Sequence, residues 1–257
     1  MAGALRSSVR RIEVSRSGAP LHRRGPGVSI APMAMYTAVP TLGAELTAWR
    51  QGYRHVAGVD EAGCGPLAGP VVAGAVILEP GAARPWWSDL RDSKMLDADA
   101  RERLFALIRG ECAWGAGVVS HEYIDTMGLT AARKQAMRLA VAALPVRPDM
   151  LLIDAMSLPE YRHRSIIHGD ALIASIAAGS IIAKVTRDHI MTEQHETYPA
   201  YGFDRNVGYA TPEHKRALDE YGPCAIHRRL FAPVRAACEA HGIAISTMLR
   251  TEEPSVA

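Results

Sequence analysis

The chain has 257 residues, of which 48% are hydrophobic and 22% charged, a composition typical of a globular protein with a substantial core. No run of eighteen apolar residues occurs, which argues against a membrane protein. The four cysteines have no CxxC spacing, which argues against a zinc site or a disulfide framework and predicts reduced thiols in the cytoplasm. The net charge is +2, but seven arginines against two glutamates put +5 in residues 1–50 and leave −3 for the rest, so global charge does not indicate nucleic-acid binding.

The first 40 residues are rich in Arg, Ser, Gly and Pro and lack hydrophobic periodicity, which predicts a disordered N-terminal extension. Three interpretations remain open: a flexible basic tail that adds affinity for phosphate, an organelle transit peptide, and a misassigned start codon with translation beginning at Met33 or Met35. Residues 41–53 follow as a short amphipathic helix with Leu42, Leu46 and Trp49 on one face.

A strand, a glycine-rich loop and a second strand come next. Residues 56–62 are predicted to form a strand that carries the adjacent acids Asp60 and Glu61, and the apolar run 71–78 is predicted to return antiparallel to it. Two neighbouring carboxylates at the end of a core strand are costly to bury unless a cation compensates them. The glycines between the strands let the backbone approach a ligand closely. Taken alone, this unit also fits an ordinary hairpin with solvated acids.

Two more strands that end in acids appear further along the chain. The pattern predicts helices at residues 98–110, 126–144 and 171–196, a strand at 113–120, and strand-then-acid units at 150–154 and 164–170 that end in Asp154 and Asp170. Asp170 is placed to cap the long third helix, whose apolar spacing predicts burial against the sheet. Arg133, Lys134 and Arg138 are interpreted as a solvated face of the second helix.

If these strands lie side by side, Asp60, Glu61, Asp154 and Asp170 converge on one pocket. Carboxylates without cysteine or paired histidine favour Mg²⁺ or Mn²⁺. Such ions suit phosphodiester hydrolysis, in which one activates water and a second stabilises the leaving oxygen. Singly, Asp154 fits a turn residue and Asp170 a helix cap, but their joint occurrence with Asp60 and Glu61 favours a metal site.

These segments, in this order, resemble the ribonuclease HII family, the type 2 ribonucleases H. The resemblance rests on residues 58–72 (GVDEAGCGPLAGPVV), 92–94 (DSK), 153–154 (ID), 169–170 (GD), 183–188 (AKVTRD), 201–203 (YGF), 208–211 (GYAT), His214 and 227–234 (HRRLFAPV). It implies an α/β ribonuclease H-like fold with a mixed central sheet, helices on both faces and a small C-terminal helical part at about 200–235. The catalytic domain would span residues 41–235, followed by a tail at 236–257.

The resemblance also implies an activity. The family's enzymes hydrolyse the RNA strand of RNA/DNA hybrids and cut duplex DNA 5′ of embedded ribonucleotides, leaving a 3′ hydroxyl and a 5′ phosphate. By this resemblance the metal-binding acids are Asp60, Glu61, Asp154 and Asp170, with Mn²⁺ or Mg²⁺ as cofactor. The implied substrate-binding residues are the loop Gly63, Cys64 and Gly65, which reads the ribose 2′ hydroxyl through its backbone, Tyr209, which stacks on the neighbouring deoxyribose, and Lys94, Lys184 and Arg187 near the phosphates. A monomer without membrane contact is expected, and a contact with a sliding clamp stays open.

Two residues depart from the family pattern. Cys64 stands where an arginine is usual, which predicts weaker binding or stronger salt dependence. His168 stands where a lysine is common; it either replaces that cation or shuttles protons. Three other functions are weighed: a nucleic-acid-binding homologue with turnover impaired by Cys64, the sister type HIII enzyme, whose N-terminal domain residues 1–50 are too short to form, and another metal-dependent phosphoesterase.

Overall fold

A five-stranded mixed sheet organises the computed structural model, which describes residues 39–81 and 84–245. Residues 1–38 of the predicted extension and 246–257 of the predicted tail lie outside the described residues. The strand order is β3-β2-β1-β4-β5. The first three strands form an antiparallel meander, while β4 runs parallel to β1 and β5 parallel to β4, so the predicted mixed sheet is confirmed. The strands are β1 (Val56–Ala62), β2 (Val71–Ile77), β3 (Ala113–Val119), β4 (Met150–Asp154) and β5 (His163–Ile166).

Helices cover both faces of the sheet, as predicted. They are α1 (Gly43–Arg50), α2 (Ala98–Glu111), α3 (His121–Met127), α4 (Leu129–Ala142), α5 (Gly169–Leu172), α6 (Ala174–Thr197), α7 (Phe203–Asn206), α8 (Pro212–Tyr221) and α9 (Ala232–Ala240). One face packs against α4 through an apolar cluster that includes Val59 and Met137, and the other packs against α2 and α6 through Val76 and Ile181. Residues of β1 alternate between the two faces because successive strand side chains point in opposite directions.

Helix α6 lies unusually close to the sheet. A Cβ on Gly58 would overlap the backbone of Ser175, and one on Gly74 would overlap the carbonyl of Gly179. Only glycine permits this approach, which brings the N-terminal part of α6 against β1, the strand that carries the paired acids, and against β2.

Three local predictions were wrong. The helix predicted at 126–144 is two helices, α3 and α4, because Gly128 between them adopts a φ of 84°. Asp170 does not cap the long helix: it lies inside the short α5, and Ile173 is extended because it forms a β-bridge with Thr41. In α1, Leu46, predicted to lie on the apolar face, is exposed. The buried residues of α1 include Glu45, whose carboxylate accepts a hydrogen bond from the backbone N–H of Ser175, in the first turn of α6, at 2.8 Å.

A third apolar cluster joins the helices after residue 198 to the glycine-rich loop. It includes Leu67 and Ala68 of the loop together with Phe203, Leu218 and Val234. Residue 235, where the predicted domain ends, lies inside α9, and partly buried Ile243 and Ile245 pack on the same cluster. No helix within 39–81 and 84–245 is long and apolar enough to span a bilayer.

Candidate active site

Three of the four predicted acids meet at one edge of the sheet. Val59 of β1 pairs with Ile153 of β4, so the next residues, Asp60 and Asp154, lie side by side on the same face. The Asp154 carboxylate accepts from the backbone N–H of Gly169 at 2.7 Å, which brings the turn that carries Asp170 to this edge. The strands therefore supply two of the acids directly, and a loop-to-strand hydrogen bond positions the third.

Asp60 is the most deeply buried member of this group, with 4% of the residue exposed. Burial, followed by the nearby charges of Glu61, Asp154 and Asp170, raises the pKa of Asp60 well above its ordinary value. The Ser180 hydroxyl of α6 partly offsets this rise in the pKa of Asp60, and it lies 3.0 Å from the Ser93 hydroxyl. A cation bound among these buried carboxylates would relieve the repulsion between their charges.

Two cations already touch this group from opposite sides. Lys94, whose side chain is 73% exposed, approaches Asp170 with its ammonium 3.3 Å from Oδ2. Arg133 of α4 donates to Glu61 Oε1 from Nε at 2.7 Å, and its Nη2 lies 2.5 Å from the same oxygen. The interpretation of Arg133 as part of a solvated helix face was therefore wrong, because its guanidinium reaches over the sheet edge to a buried carboxylate.

Glu61 points to the opposite face from Asp60, as consecutive strand residues do. Its Oε1 also lies 3.5 Å from the Cys64 sulfur, whereas its Oε2 is buried without a hydrogen-bond partner among the described residues. Burial and the Glu61 charge raise the pKa of Cys64 to about 12, so the thiol is neutral at physiological pH. A neutral thiol is a poor ligand for Mg²⁺, in keeping with the sequence interpretation of Cys64.

The residues fit a hard divalent ion by their donor chemistry. The acids offer only oxygen donors, the buried Glu61 Oε2 lacks a partner, and the pKa of Asp154, like that of Asp60, is raised by burial. In the described part of the chain no three His, Cys, Asp or Glu side chains already surround a common point. Glu61 is instead paired with Arg133, while Asp60, Asp154 and Asp170 lie near enough for their charges to interact.

Two buried arginines hold the glycine-rich loop from behind. Arg228 is fully buried and donates to the carbonyls of Gly63 (2.6 Å), Cys64 (3.2 Å), Gly69 (3.0 Å) and Pro70 (3.1 Å). Burial and the neighbouring Arg187 lower the pKa of Arg228 to about 9, so it remains charged at neutral pH. Because the peptide groups are trans, carbonyls that point inward leave the N–H groups of Cys64 and Gly65 pointing the other way, away from Arg228.

Arg187, predicted to lie near substrate phosphates, is also fully buried. Its guanidinium donates to the carbonyls of Pro70 (3.1 Å), Val207 (2.9 Å) and Ala68 (3.2 Å). A side chain with no exposed surface cannot reach a phosphate outside the protein, so we correct the role of Arg187 to that of a support for the loop. Arg228 was missed as a site residue, although it stands in the HRR segment that carries the family resemblance.

Tyr209 and Lys184 lie beside the loop. Tyr209 is 44% exposed, and its ring carbon Cε1 would lie 3.6 Å from a Cβ placed on Gly65. The Lys184 ammonium lies 5.9 Å from the centre of the Tyr209 ring and pairs with Asp188 at 2.8 Å. The loop and an exposed aromatic face thus form one surface next to the acids.

A buried pair of histidines supports Tyr209 from below. His227 Nδ1 accepts from the backbone N–H of Cys224 at 3.0 Å, so its proton must sit on Nε2, which lies 2.9 Å from His214 Nε2. His214 then carries its proton on Nδ1 and donates it to the Tyr209 carbonyl at 2.8 Å. Every nitrogen of the pair is satisfied only when both rings are neutral.

Comparison with known proteins agrees with this architecture. The family profile described as Ribonuclease HII matches residues 57–234. The ribonuclease HII of Bacillus licheniformis is 53% identical over 188 residues, covering 72% of each chain, and that of Acholeplasma laidlawii is 48% identical over 197 residues, covering 76% of this chain and 96% of the relative.

Solved structures show the same fold. The crystal structure of ribonuclease H2 from Pyrococcus horikoshii is similar with a TM-score of 0.64 and 28% identity, over 74% of this chain and 99% of that one. A structure of the PCNA–RNase HII complex from Archaeoglobus fulgidus is similar with a TM-score of 0.52 and 25% identity, over 77% of this chain and 94% of that one.

Proposed function

This chain belongs to the ribonuclease HII family and is a hydrolase of the endoribonuclease type that acts on RNA/DNA hybrids; from that premise we propose that it also nicks duplex DNA 5′ of a single embedded ribonucleotide. The products are a 3′ hydroxyl and a 5′ phosphate. The observation that carries the proposal is the placement of Asp60, Asp154 and Asp170 at one sheet edge, directly beside a loop whose amide groups face outward.

Recognition of the ribonucleotide is proposed to run through the backbone of Gly63, Cys64 and Gly65. A 2′ hydroxyl is the group that distinguishes RNA from DNA, and backbone N–H groups can donate to it without any side chain. Arg228 keeps these amides in place by holding the loop carbonyls inward. Tyr209, which lies against Gly65, offers an apolar face to the sugar of the next nucleotide.

Divalent metal, Mn²⁺ or Mg²⁺, is proposed to bind Asp60, Glu61, Asp154 and Asp170. Such ions, when bound, lower the pKa of water and stabilise charge on the reacting phosphate. The protein's own groups prepare the site: Ser180 favours the charged form of Asp60, the Gly169 amide orients Asp154, and Lys94 approaches Asp170. Lys94 and Lys184, both near the site surface, remain proposed phosphate contacts.

We also propose that the protein acts as a monomer in the cytoplasm. All four cysteines are free thiols, which suits a reducing compartment. A sliding-clamp contact is an open part of the proposal, motivated by the complex with PCNA that the Archaeoglobus relative forms.

An end-labelled duplex with one ribonucleotide tests the proposal. We expect a metal-dependent nick 5′ of the ribonucleotide, no cut in an all-DNA duplex, and at least a ~100-fold slower reaction for Asp60→Asn, because even residues that only support metal ligands cost 10–100-fold when removed. Binding without cleavage under both Mn²⁺ and Mg²⁺ would instead favour a homologue that has lost turnover. Cleavage that is unaffected by Asp60→Asn would refute the assignment of the acids.

A further inference from the structure

The described residues offer few cations that could meet a phosphate beside the acids. Arg187 and Arg228 are fully buried and donate to backbone carbonyls, whereas Lys184, a proposed phosphate contact, lies beside the Tyr209 ring and pairs with Asp188. Lys94 stands on the Asp170 side of the group. On the Glu61 side, next to the glycine-rich loop, the cation is Arg133.

Arg133 stands between the acids and the loop. Its guanidinium contacts Glu61 Oε1 through Nε and Nη2, and the same oxygen lies 3.5 Å from the Cys64 sulfur of the loop. A guanidinium carries five N–H donors, of which these contacts use only part, and 25% of the Arg133 side chain is exposed. The residue is thus anchored on one side and still has donors to offer on the other.

The location follows from the reaction itself. If the loop contacts the 2′ hydroxyl of a ribonucleotide while the acids act on the phosphate joined to the same sugar, that phosphate must lie between the loop and the acids. Arg133 contacts Glu61, and the Glu61 oxygen that it holds also contacts the Cys64 sulfur of the loop. Cys64, the loop residue at this point, has a side chain that carries no positive charge.

We propose that Arg133 binds the substrate phosphate beside the glycine-rich loop and supplies the positive charge that Cys64 does not. This inference rests on the proposed function. An arginine suits the position because its planar fork can hold a carboxylate and a phosphate at the same time. The four acids of the site make such a charge more valuable, since each of them repels a polyanionic strand.

Salt dependence of binding tests the proposal independently of cleavage. The ribonucleotide duplex is titrated by fluorescence anisotropy in EDTA, at 50 to 200 mM KCl, with wild type, Arg133→Gln and Arg133→Lys. Loss of one phosphate contact should reduce the slope of log K against log salt by about 0.9 and weaken binding by about 8-fold at 0.1 M salt. The stronger salt dependence predicted from Cys64 in the sequence was therefore wrong in sign, because fewer phosphate contacts release fewer counterions. Arg133→Gln should show both effects, whereas Arg133→Lys should keep the slope.

Arg138→Gln is the matched control. It removes the same charge from the same helix, but Arg138 is 43% exposed and pairs with Glu160 at 2.6 Å, so its slope should equal that of wild type. The double variant Arg133→Gln with Cys64→Arg should regain the slope, because it returns a guanidinium to the loop.

Two results would overturn the inference. One is an unchanged slope for Arg133→Gln, with an altered affinity for Mn²⁺ in calorimetry, which would mean that Arg133 acts only through Glu61. The other is an equal reduction of the salt slope in Arg138→Gln, which would mean that the effect comes from the overall charge of α4 and not from a phosphate contact of Arg133. Failure of wild type to nick the ribonucleotide duplex would refute the proposed function alone, because the slopes are measured without catalysis.

Discussion

Lowering the pH from 7.5 to 5.0 should destabilise the folded protein by about 2 kcal/mol through His227 alone. Burial, together with the neighbouring His214, lowers the pKa of His227 from 6.5 to about 3. Between these values the unfolded chain binds a proton that the folded chain does not, so stability rises with pH in this window and is lost on acidification. At pH 5.0, which is 1.5 pH units below 6.5, about 1.4 kcal/mol per pH unit gives the stated cost.

The groups around His227 do little to stabilise the positive charge that a second ring proton would bring. His214 presents its Nε2, Cys224 donates a backbone N–H to Nδ1, and His121 of α3 adds a further unfavourable charge when protonated. Protonation of His227 would break the hydrogen bond from Cys224, and burial also lowers the pKa of His214. Because His214 donates to the Tyr209 carbonyl, the same event would loosen the aromatic residue next to the loop.

Urea denaturation at pH 7.5 and pH 5.0, in EDTA, measures this cost. His227→Gln can still accept from Cys224 and donate to His214, and it has no charge to gain, so it should lose about 2 kcal/mol less than wild type on acidification. The acids titrate equally in both proteins and cancel in the difference. His55→Gln, a change at an exposed histidine, should behave as wild type. Equal losses in wild type and His227→Gln would show that the pair is not held neutral, and the hydrogen-bond assignment would be wrong.

Two further changes test the packing around the site. Arg228→Met leaves four loop carbonyls without their donor and should lower the free energy of unfolding, measured by urea denaturation, by about 3–5 kcal/mol. The control Arg235→Met, on the exposed side of α9, should stay within about 0.5 kcal/mol of wild type. Gly58→Ala should lower the free energy of unfolding by at least about 1–3 kcal/mol, because the new Cβ overlaps the backbone of Ser175. Gly110→Ala, in helix α2 with open space around it, should instead raise that free energy by about 0.5–1 kcal/mol. A loss at Gly110 as large as that at Gly58 would contradict the packing argument.

The strands and the three aspartates could be predicted because their signals are local. Apolar runs that end in Asp60 and Asp154 predicted both the strands and the edge at which they meet, since neighbouring parallel strands present their ends together. The break at Gly128 was missed because a glycine within a helical pattern is tolerated at a modest cost and does not by itself end a helix. The position of Asp170 was missed because a bridge from Thr41, far away in sequence, interrupts the helix at Ile173.

The sheet, the helices on its two faces, the acids and the family could all be read from the sequence, since strand and helix periodicity and motif order are properties of short segments. The role of each charged side chain, in contrast, became clear from the folded structure. Arg187 and Arg228 look like surface cations in the sequence but are buried on loop carbonyls, and Arg133 looks like a solvated helix residue but pairs with Glu61. A long flexible side chain has no local pattern to reveal its partner, because that partner is chosen by which distant backbone or carboxylate the fold brings within reach.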